Sequence, residues 1–408
     1  MDNIYYNRWL EKKLKGNLSK NKIRLIFGAR QTGKTMLLNK LMPKEKTKNY
    51  NLQDSRLRRR YERDPSLFSG ELQVLDKKIK NIFVDEIQKV PELLDEIQYI
   101  YDLDKTRFQF FLTGSSARKL RKSTANLLPG RSHIYNLFPV SLFEEENCEK
   151  SVIKKEKCLS NPFPEKSLEW KLLYGNLPGV RNETVGSAIE TLDGYVTNHL
   201  EEEIRKEALV KKISSFEIFL QLAAIENGKQ VNLLKMSKES GIPVSTLKNY
   251  YQTLVDTFVG YRMPAFKASP RKRVLTTPRF YFFDIGVRNA AAELNLNKTI
   301  LSELGGFLFE SLVGLELLQK AVCYGRGYNV SFWRTVSGAE VDFIFETPRE
   351  IIPIEVKWSE NPKVSHARNI EKFIDIYPEK AKKGFVVCRT DEPVKISKRV
   401  TAIPYNFL

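Results

Sequence analysis

The sequence predicts an α/β protein, and three observations carry that expectation. Apolar, β-prone runs alternate with helical stretches over residues 1 to 145, the signature of a parallel sheet. A helical stretch follows, broken by glycine and proline. Near the C-terminus one long helix leads into three closely spaced strand-like runs, in the order α–β–β–β. A chain of 408 residues is too long for one core, so two to four domains are expected. The pattern breaks divide it into 1–145, 146–228, 229–285 and 286–408.

The first strand, near 23–27, runs directly into Gly28-Ala29-Arg30-Gln31-Thr32-Gly33-Lys34-Thr35. The spacing G-x-x-x-x-G-K-[ST] between a strand and a helix is a phosphate-binding loop, the P-loop. Its glycines let the backbone curl, so that amide N–H groups and the helix N-terminus face phosphate oxygens. Lys34 is expected on the β- and γ-phosphates of ATP, and Thr35 on Mg²⁺.

Further strands are expected near 49–52, 81–85, 108–113 and 134–138. The run Ile82-Phe83-Val84 ends in Asp85-Glu86. Beside a P-loop, the first carboxylate is expected to hold Mg²⁺ and the second to orient or deprotonate the attacking water. Phe108 to Leu112 ends in Thr113-Gly114-Ser115-Ser116. A small polar group at that strand tip suits a γ-phosphate sensor: Thr113 first, Ser115 second, with a plain Gly/Ser turn the competing reading. Arg131 is either a finger for transition-state charge, in cis or from a neighbouring subunit, or a structural arginine.

Glu144 to Lys166 is charged and proline-bearing and reads as a connector; Leu168 to about Glu226 is helical. Residues 229 to 262 suggest a helix-turn-helix or winged-helix unit. Asn232 suits the N-cap of a first helix, Gly241 the turn, and Pro243-Val244-Ser245 the opening of a second. Ser245, Thr246, Lys248 and Asn249 would face a DNA groove if that helix reads DNA. Packing against protein is the other use of such a unit.

The last region carries a second set of reactive side chains. Asp342 lies in one predicted strand, and Glu355 and Lys357 alternate onto one face of the next. Glu310 comes from the preceding helix. Carboxylates and a lysine meeting at one edge suit Mg²⁺ and phosphodiester chemistry, the D…E-x-K pattern of restriction-endonuclease-like folds. A hairpin with alternating charges has the same sequence. The metal candidates are therefore Thr35, Asp85, Glu310, Asp342 and Glu355.

Composition narrows the function classes. Apolar content of 42% and charged content of 28% are ordinary for a globular protein. No uninterrupted apolar run reaches the ~18 residues of a membrane span, and no signal-peptide core is evident. The four cysteines have no metal-ligand spacing, which fits a reducing cytoplasm. Net charge is the outlier at +18, favouring a polyanionic partner, nucleic acid first and DNA ahead of RNA. Basic clusters include Arg56 to Arg60, Arg118 to Lys122 and Arg271-Lys272-Arg273.

In order, GARQTGKT, IFVDEIQ, FFLTGSSARKL, LPGRSHIYNLFPVSL, LLYGNLPGV, the 229–262 unit, GGFLFESLVGLEL, GAEVDFIF and IEVKWS resemble a prokaryotic family of AAA-type ATPases. Its members pair a P-loop domain with a C-terminal region of unknown function, containing a winged helix and an endonuclease-like domain. The resemblance spans almost the whole chain and implies a cytoplasmic ATP-binding protein. The expectation is an ATPase acting on or with nucleic acid, with metal-dependent cleavage as an added activity. The alternative is an ATP-dependent switch whose C-terminal half is a protein- or DNA-binding platform that does not cleave. A protein partner and a homo-oligomer stay open.

Overall fold

The computed structural model describes residues 5–16, 21–118, 120, 128–146, 150–154, 157–200, 213–267, 276–335 and 337–408. It divides into two compact units: residues 1–138 with 253–259, and residues 139–252 with 260–408.

In the first unit, among the described residues, a five-stranded parallel sheet has the order β2-β3-β4-β1-β5. Its strands are β1 (Ile23–Phe27), β2 (Thr47–Asn51), β3 (Asn81–Asp85), β4 (Gln109–Gly114) and β5 (Ser132–Asn136). The helices include α1 (Leu10–Lys15), α2 (Lys34–Leu41), α3 (Ser55–Arg63), α4 (Ser66–Gln73) and α5 (Leu93–Leu103). The interior strand β1 is buried along its whole length, as expected where helices cover both faces of a parallel sheet. Arg24 is the exception in kind: its buried guanidinium lies 4.7 Å from the Phe111 ring. One face buries Leu25, Phe27, Val84, Ile97 and Leu112, the other Leu14, Ile26, Leu37 and Phe83. β5 starts and ends two residues before its expected span and is only half-buried, as befits an edge strand. Segment 253–259 packs here too, with Phe258 stacked on Phe27 at 5.5 Å.

The second unit begins with α6 (Leu168–Tyr174), α7 (Val185–Gly194) and α8 (Ile213–Ile225). Next come α9 (Leu233–Ser240) and α10 (Val244–Asp256), then an antiparallel pair, β6 (Gly260–Met263) with β7 (Arg279–Phe282). The Asn232 side chain accepts a hydrogen bond from the Lys235 amide (3.0 Å) and caps α9. Gly241 takes a left-handed φ of 69° at its end, which lets the chain turn into α10 without a Cβ penalty. Phe219 packs edge-on against Tyr251, 4.9 Å between ring centres.

The rest of the unit is α11 (Ile285–Ala291), α12 (Ile300–Tyr324), β8 (Asn329–Arg334), β9 (Glu340–Glu346), β10 (Ile351–Val356), α13 (Arg368–Ile376), β11 (Gly384–Cys388), β12 (Val394–Lys395) and β13 (Val400–Pro404). The expected α–β–β–β order is present as α12, β8, β9 and β10. Among the described residues these strands form a six-stranded sheet, β12-β13-β11-β10-β9-β8. It is antiparallel from β8 to β10 and parallel from β10 through β11 to β13. The segment read as a connector includes a buried charge: Glu145 pairs with Lys171 (2.7 Å) and Arg181 (2.6 Å). No helix among the described residues is long and apolar enough to cross a membrane. The Arg271-Lys272-Arg273 cluster, most of Arg118 to Lys122 and Cys148 lie outside the described residues.

Candidate functional site

The nucleotide-binding candidates gather at the carboxyl ends of β1, β3 and β4. Between β1 and α2 the loop Gly28 to Gly33 doubles back on itself. Gly28 must be glycine, because a Cβ there would run into the Leu137 carbonyl oxygen. Gln31 and Gly33 adopt left-handed φ of 62° and 91°, the curl that turns successive amides to one side. Thr32 Oγ1 donates to the Ala29 carbonyl (2.9 Å) and ties the loop across its middle. Lys34 Nζ donates to the Gly28 and Ala29 carbonyls (2.9 and 2.8 Å), so its charge lies along the loop mouth.

Asp85 ends β3 and lies beside this loop. Thr35 Oγ1 donates to its carboxylate at 3.1 and 3.3 Å. This brings the two expected Mg²⁺ ligands together from positions fifty residues apart. A hydroxyl and one carboxylate leave most of an octahedral shell to phosphates and water, which is how Mg²⁺ binds in such sites. The residues present therefore fit the ion.

The two adjacent carboxylates are driven in opposite directions. Burial pushes Asp85 up, opposed by the Thr113 hydrogen bond and reinforced by the charge of Glu86. Burial also acts upward on Glu86. There Lys34, hydrogen bonds from Gln88 and Ser115, and Arg30 outweigh it and hold the carboxyl below its ordinary value. A carboxylate kept ionised next to a metal-ligand candidate suits the handling of a water proton.

Thr113 and Ser115 lie at the carboxyl end of β4, beside Asp85 and Glu86, whereas Arg131 lies away from them. Thr113, expected at a γ-phosphate, is fully buried. Its hydroxyl donates to Asp85 Oδ1 and accepts from the Glu86 amide (3.2 Å), so it holds the two carboxylates in place. Ser115, the second choice, touches the water-activating candidate directly: its hydroxyl donates to Glu86 Oε2 at 2.8 Å. Arg131 precedes β5 and accepts the Ile23 amide through its carbonyl, at the amino ends of the parallel strands. That edge is opposite the P-loop, about 16 Å away along a five-residue strand. Its guanidinium pairs with Asp102 at 2.8 Å. A finger role in cis is therefore ruled out by topology.

Two residues of the site are given no role by the sequence. Arg8 is buried and donates to the Thr32 and Phe138 carbonyls, both at 2.7 Å, clamping the P-loop from outside. No motif marks it. Gln88, two residues beyond Glu86, lies inside the site and had a signal in its spacing.

The second unit gathers the other candidates. Continuing the β9–β10 ladder places Glu355 opposite Asp342. The Val356 amide donates to Asp342 Oδ2 at 2.8 Å, and Lys357 Nζ pairs with Glu355 Oε1 at 2.7 Å. Glu310, from α12, is bound by Arg279 of β7 at 3.3 Å, and the same guanidinium pairs with Glu340. Burial, then the charge of Asp342, pushes Glu310 and Glu355 up to about 7. Burial likewise pushes Asp342 up, against the Val356 hydrogen bond and Lys357. Glu355 Oε2 is buried without a hydrogen-bond partner. Even so, among the described residues no three carboxylate, histidine or cysteine side chains converge as metal ligands. In this structure Glu310 is held by Arg279, Asp342 by the Val356 amide and Glu355 by Lys357.

Comparisons with known proteins bear on this arrangement. Residues 165–298 and 305–408 match two domains of unknown function, DUF8612 and DUF4143. An uncharacterized protein of Methanocaldococcus jannaschii is 27% identical over 378 residues, covering 87% of this chain and 79% of that protein. One from Haemophilus influenzae is 25% identical over 364 residues, covering 84% of each. Among solved structures, Pif1 helicase from Candida albicans aligns with a TM-score of 0.23 and 15% identity, over 33% of this chain and 40% of that one. A variant of Thermotoga maritima RuvB aligns at 0.26 and 14%, over 74% and 95%. Scores this low establish no common fold. Residues 20–145 match the model of an AAA domain, and with the P-loop geometry this supports an AAA-type ATPase domain in the first unit.

Proposed function

We propose that this chain binds ATP with Mg²⁺, hydrolyses it, and uses the cycle to act on nucleic acid through a second unit that binds without cutting. The observation that carries the first part is the contact of Thr35 with Asp85 beside Lys34 and Glu86. Thr35 and Asp85 would hold Mg²⁺, which would offset charge on the phosphate oxygens. Lys34 places a compact cation on the same oxygens. The α2 N-terminus and the loop amides orient the triphosphate. Glu86 orients the attacking water and takes its proton. Thr113 keeps Asp85 and Glu86 in register.

The nucleic-acid part rests on the net charge of +18 and on the α9–Gly241–α10 pair. Nuclease activity is not part of the proposal, because Arg279, the Val356 amide and Lys357 already hold the carboxylates of the second unit. The cluster is a neutralised, partly protonated group within a binding platform. A protein-binding platform driven by ATP is the alternative. ATP turnover measured with and without DNA or RNA, with cleavage products read from the same samples, separates the readings. Stimulation without products supports ours. Turnover indifferent to both nucleic acids favours the protein-binding platform, and Mn²⁺-dependent products restore the nuclease.

A further inference from the structure

The segment Asp85-Glu86-Ile87-Gln88 makes an abrupt turn. Glu86 has a left-handed backbone (φ 61°, ψ 49°), which is costly for a residue with a side chain. A short helical turn, Ile87–Lys89, follows at once, closed by the Lys89 amide on the Glu86 carbonyl at 3.0 Å. This folds the Gln88 side chain back over Glu86. Gln88 Nε2 donates to Glu86 Oε2 and, at 3.1 Å, to Ser115 Oγ. Ser115 in turn donates to the same Glu86 oxygen. The result is a closed ring of three buried polar groups. The backbone makes room for it: a Cβ on Gly114 would stand 2.9 Å from Gln88 Oε1. That Oε1 is buried and has no hydrogen-bond partner, a cost tolerated to keep the amide nitrogen on the carboxylate.

From this geometry we infer that Gln88 is a positioning residue for ATP hydrolysis, holding the Glu86 carboxylate so that one oxygen stays fixed and the other faces the attacking water. The inference rests on the ATPase reading. In the step it serves, a water oxygen bonds to the γ-phosphorus. The bond from that phosphorus to the β–γ bridging oxygen breaks, ADP keeps that electron pair, and the water proton passes to Glu86 Oε1. Oε2 takes no part, because Gln88 and Ser115 occupy it. Without the amide, the carboxylate rotates about its own bonds and the angle of attack is lost.

Gln88→Met tests this, because methionine fills nearly the same volume with no amide. The expected result is a kcat lower by about 10- to 100-fold, with the KM for ATP, ADP affinity and Tm close to wild type. Gln88→Asn, which keeps the amide but draws it back by one carbon, should behave the same way and serves if the methionine variant does not fold. Wild-type kcat in either variant overturns the inference. So does a loss confined to ADP binding or Tm, which would make Gln88 a packing residue. Wild-type protein that binds ADP but turns over no ATP overturns the ATPase reading itself, and the inference with it.

Discussion

Replacing Glu86 by glutamine separates nucleotide binding from chemistry with little change of shape. The Glu86 Oε2 atom accepts from Ser115 Oγ and Gln88 Nε2. A glutamine carbonyl oxygen can accept both bonds, and its amide nitrogen then stands where Oε1 stood. Thr35, Asp85 and Lys34 are untouched, so the phosphate and Mg²⁺ contacts persist. The negative charge that pushes Asp85 up is removed, which leaves that ligand at least as ionised as before. What disappears is the proton acceptor. General-base contributions of about 10²- to 10⁴-fold correspond to roughly 3–5 kcal/mol of barrier. Glu86→Gln should therefore lower kcat by that factor while the Kd for ATP changes by less than about threefold. Phosphate release measured alongside equilibrium binding of a fluorescent ATP analogue reads both quantities. Turnover at the wild-type rate refutes the assignment of Glu86. An equal loss in binding refutes the geometry argued for the isosteric swap.

Lys34→Ala should abolish turnover and weaken ATP binding while thermal unfolding remains cooperative; unchanged ATP affinity would remove the lysine from the phosphates. Asp284 is fully buried and accepts from the Asn176 and Val287 amides, yet burial pushes it up to about 6. Because the native state then binds the extra proton, stability falls as pH rises from about 4 through 6, by roughly 3 kcal/mol for this group. Urea unfolding should show that decline flattened in Asp284→Asn; an equal slope in both proteins contradicts it. Affinity for DNA should fall steeply with salt, and replacing Arg271, Lys272 and Arg273 by alanine should reduce the log–log slope by up to roughly three. A salt-independent affinity favours a protein partner. Mn²⁺ should leave the Tm of a nucleotide-free Lys34→Ala protein unchanged, whereas a rise lost in Asp342→Ala would show that the acidic cluster takes metal after all.

The parts of the site that are legible in the sequence are those whose geometry is local. A strand, a glycine-rich loop and a helix start are contiguous from Ile23 to Leu41, and their chemistry follows from backbone curl and a helix N-terminus. Asp85 and Glu86 are legible for the same reason: carboxylates at the carboxyl end of a buried strand emerge where the P-loop does. Arg131 follows a rule of parallel sheets that its motif alone does not display. A residue that precedes a strand lies at the opposite edge from one that follows a strand. Gln88 is hidden by a backbone detail, since only a left-handed Glu86 folds the chain back far enough for the amide to reach the carboxylate.

The acidic cluster is illegible for a different reason. Sequence spacing brings Asp342, Glu355 and Lys357 together through one hairpin, where side-chain alternation is a reliable guide. Whether such a cluster is a metal site depends on which cations reach it first, and Arg279 arrives from β7, thirty-one residues before Glu310. Its guanidinium is nearly buried, lies 4.6 Å from the Phe332 ring and binds two carboxylates. Removing such a cation would take the ion pair from Glu310 and leave Glu340 with Arg334 alone, and buried carboxylates that lose a cation protonate or recruit another. Arg279, more than the carboxylates themselves, decides whether this face of the second unit is a neutral platform or a place for a metal ion.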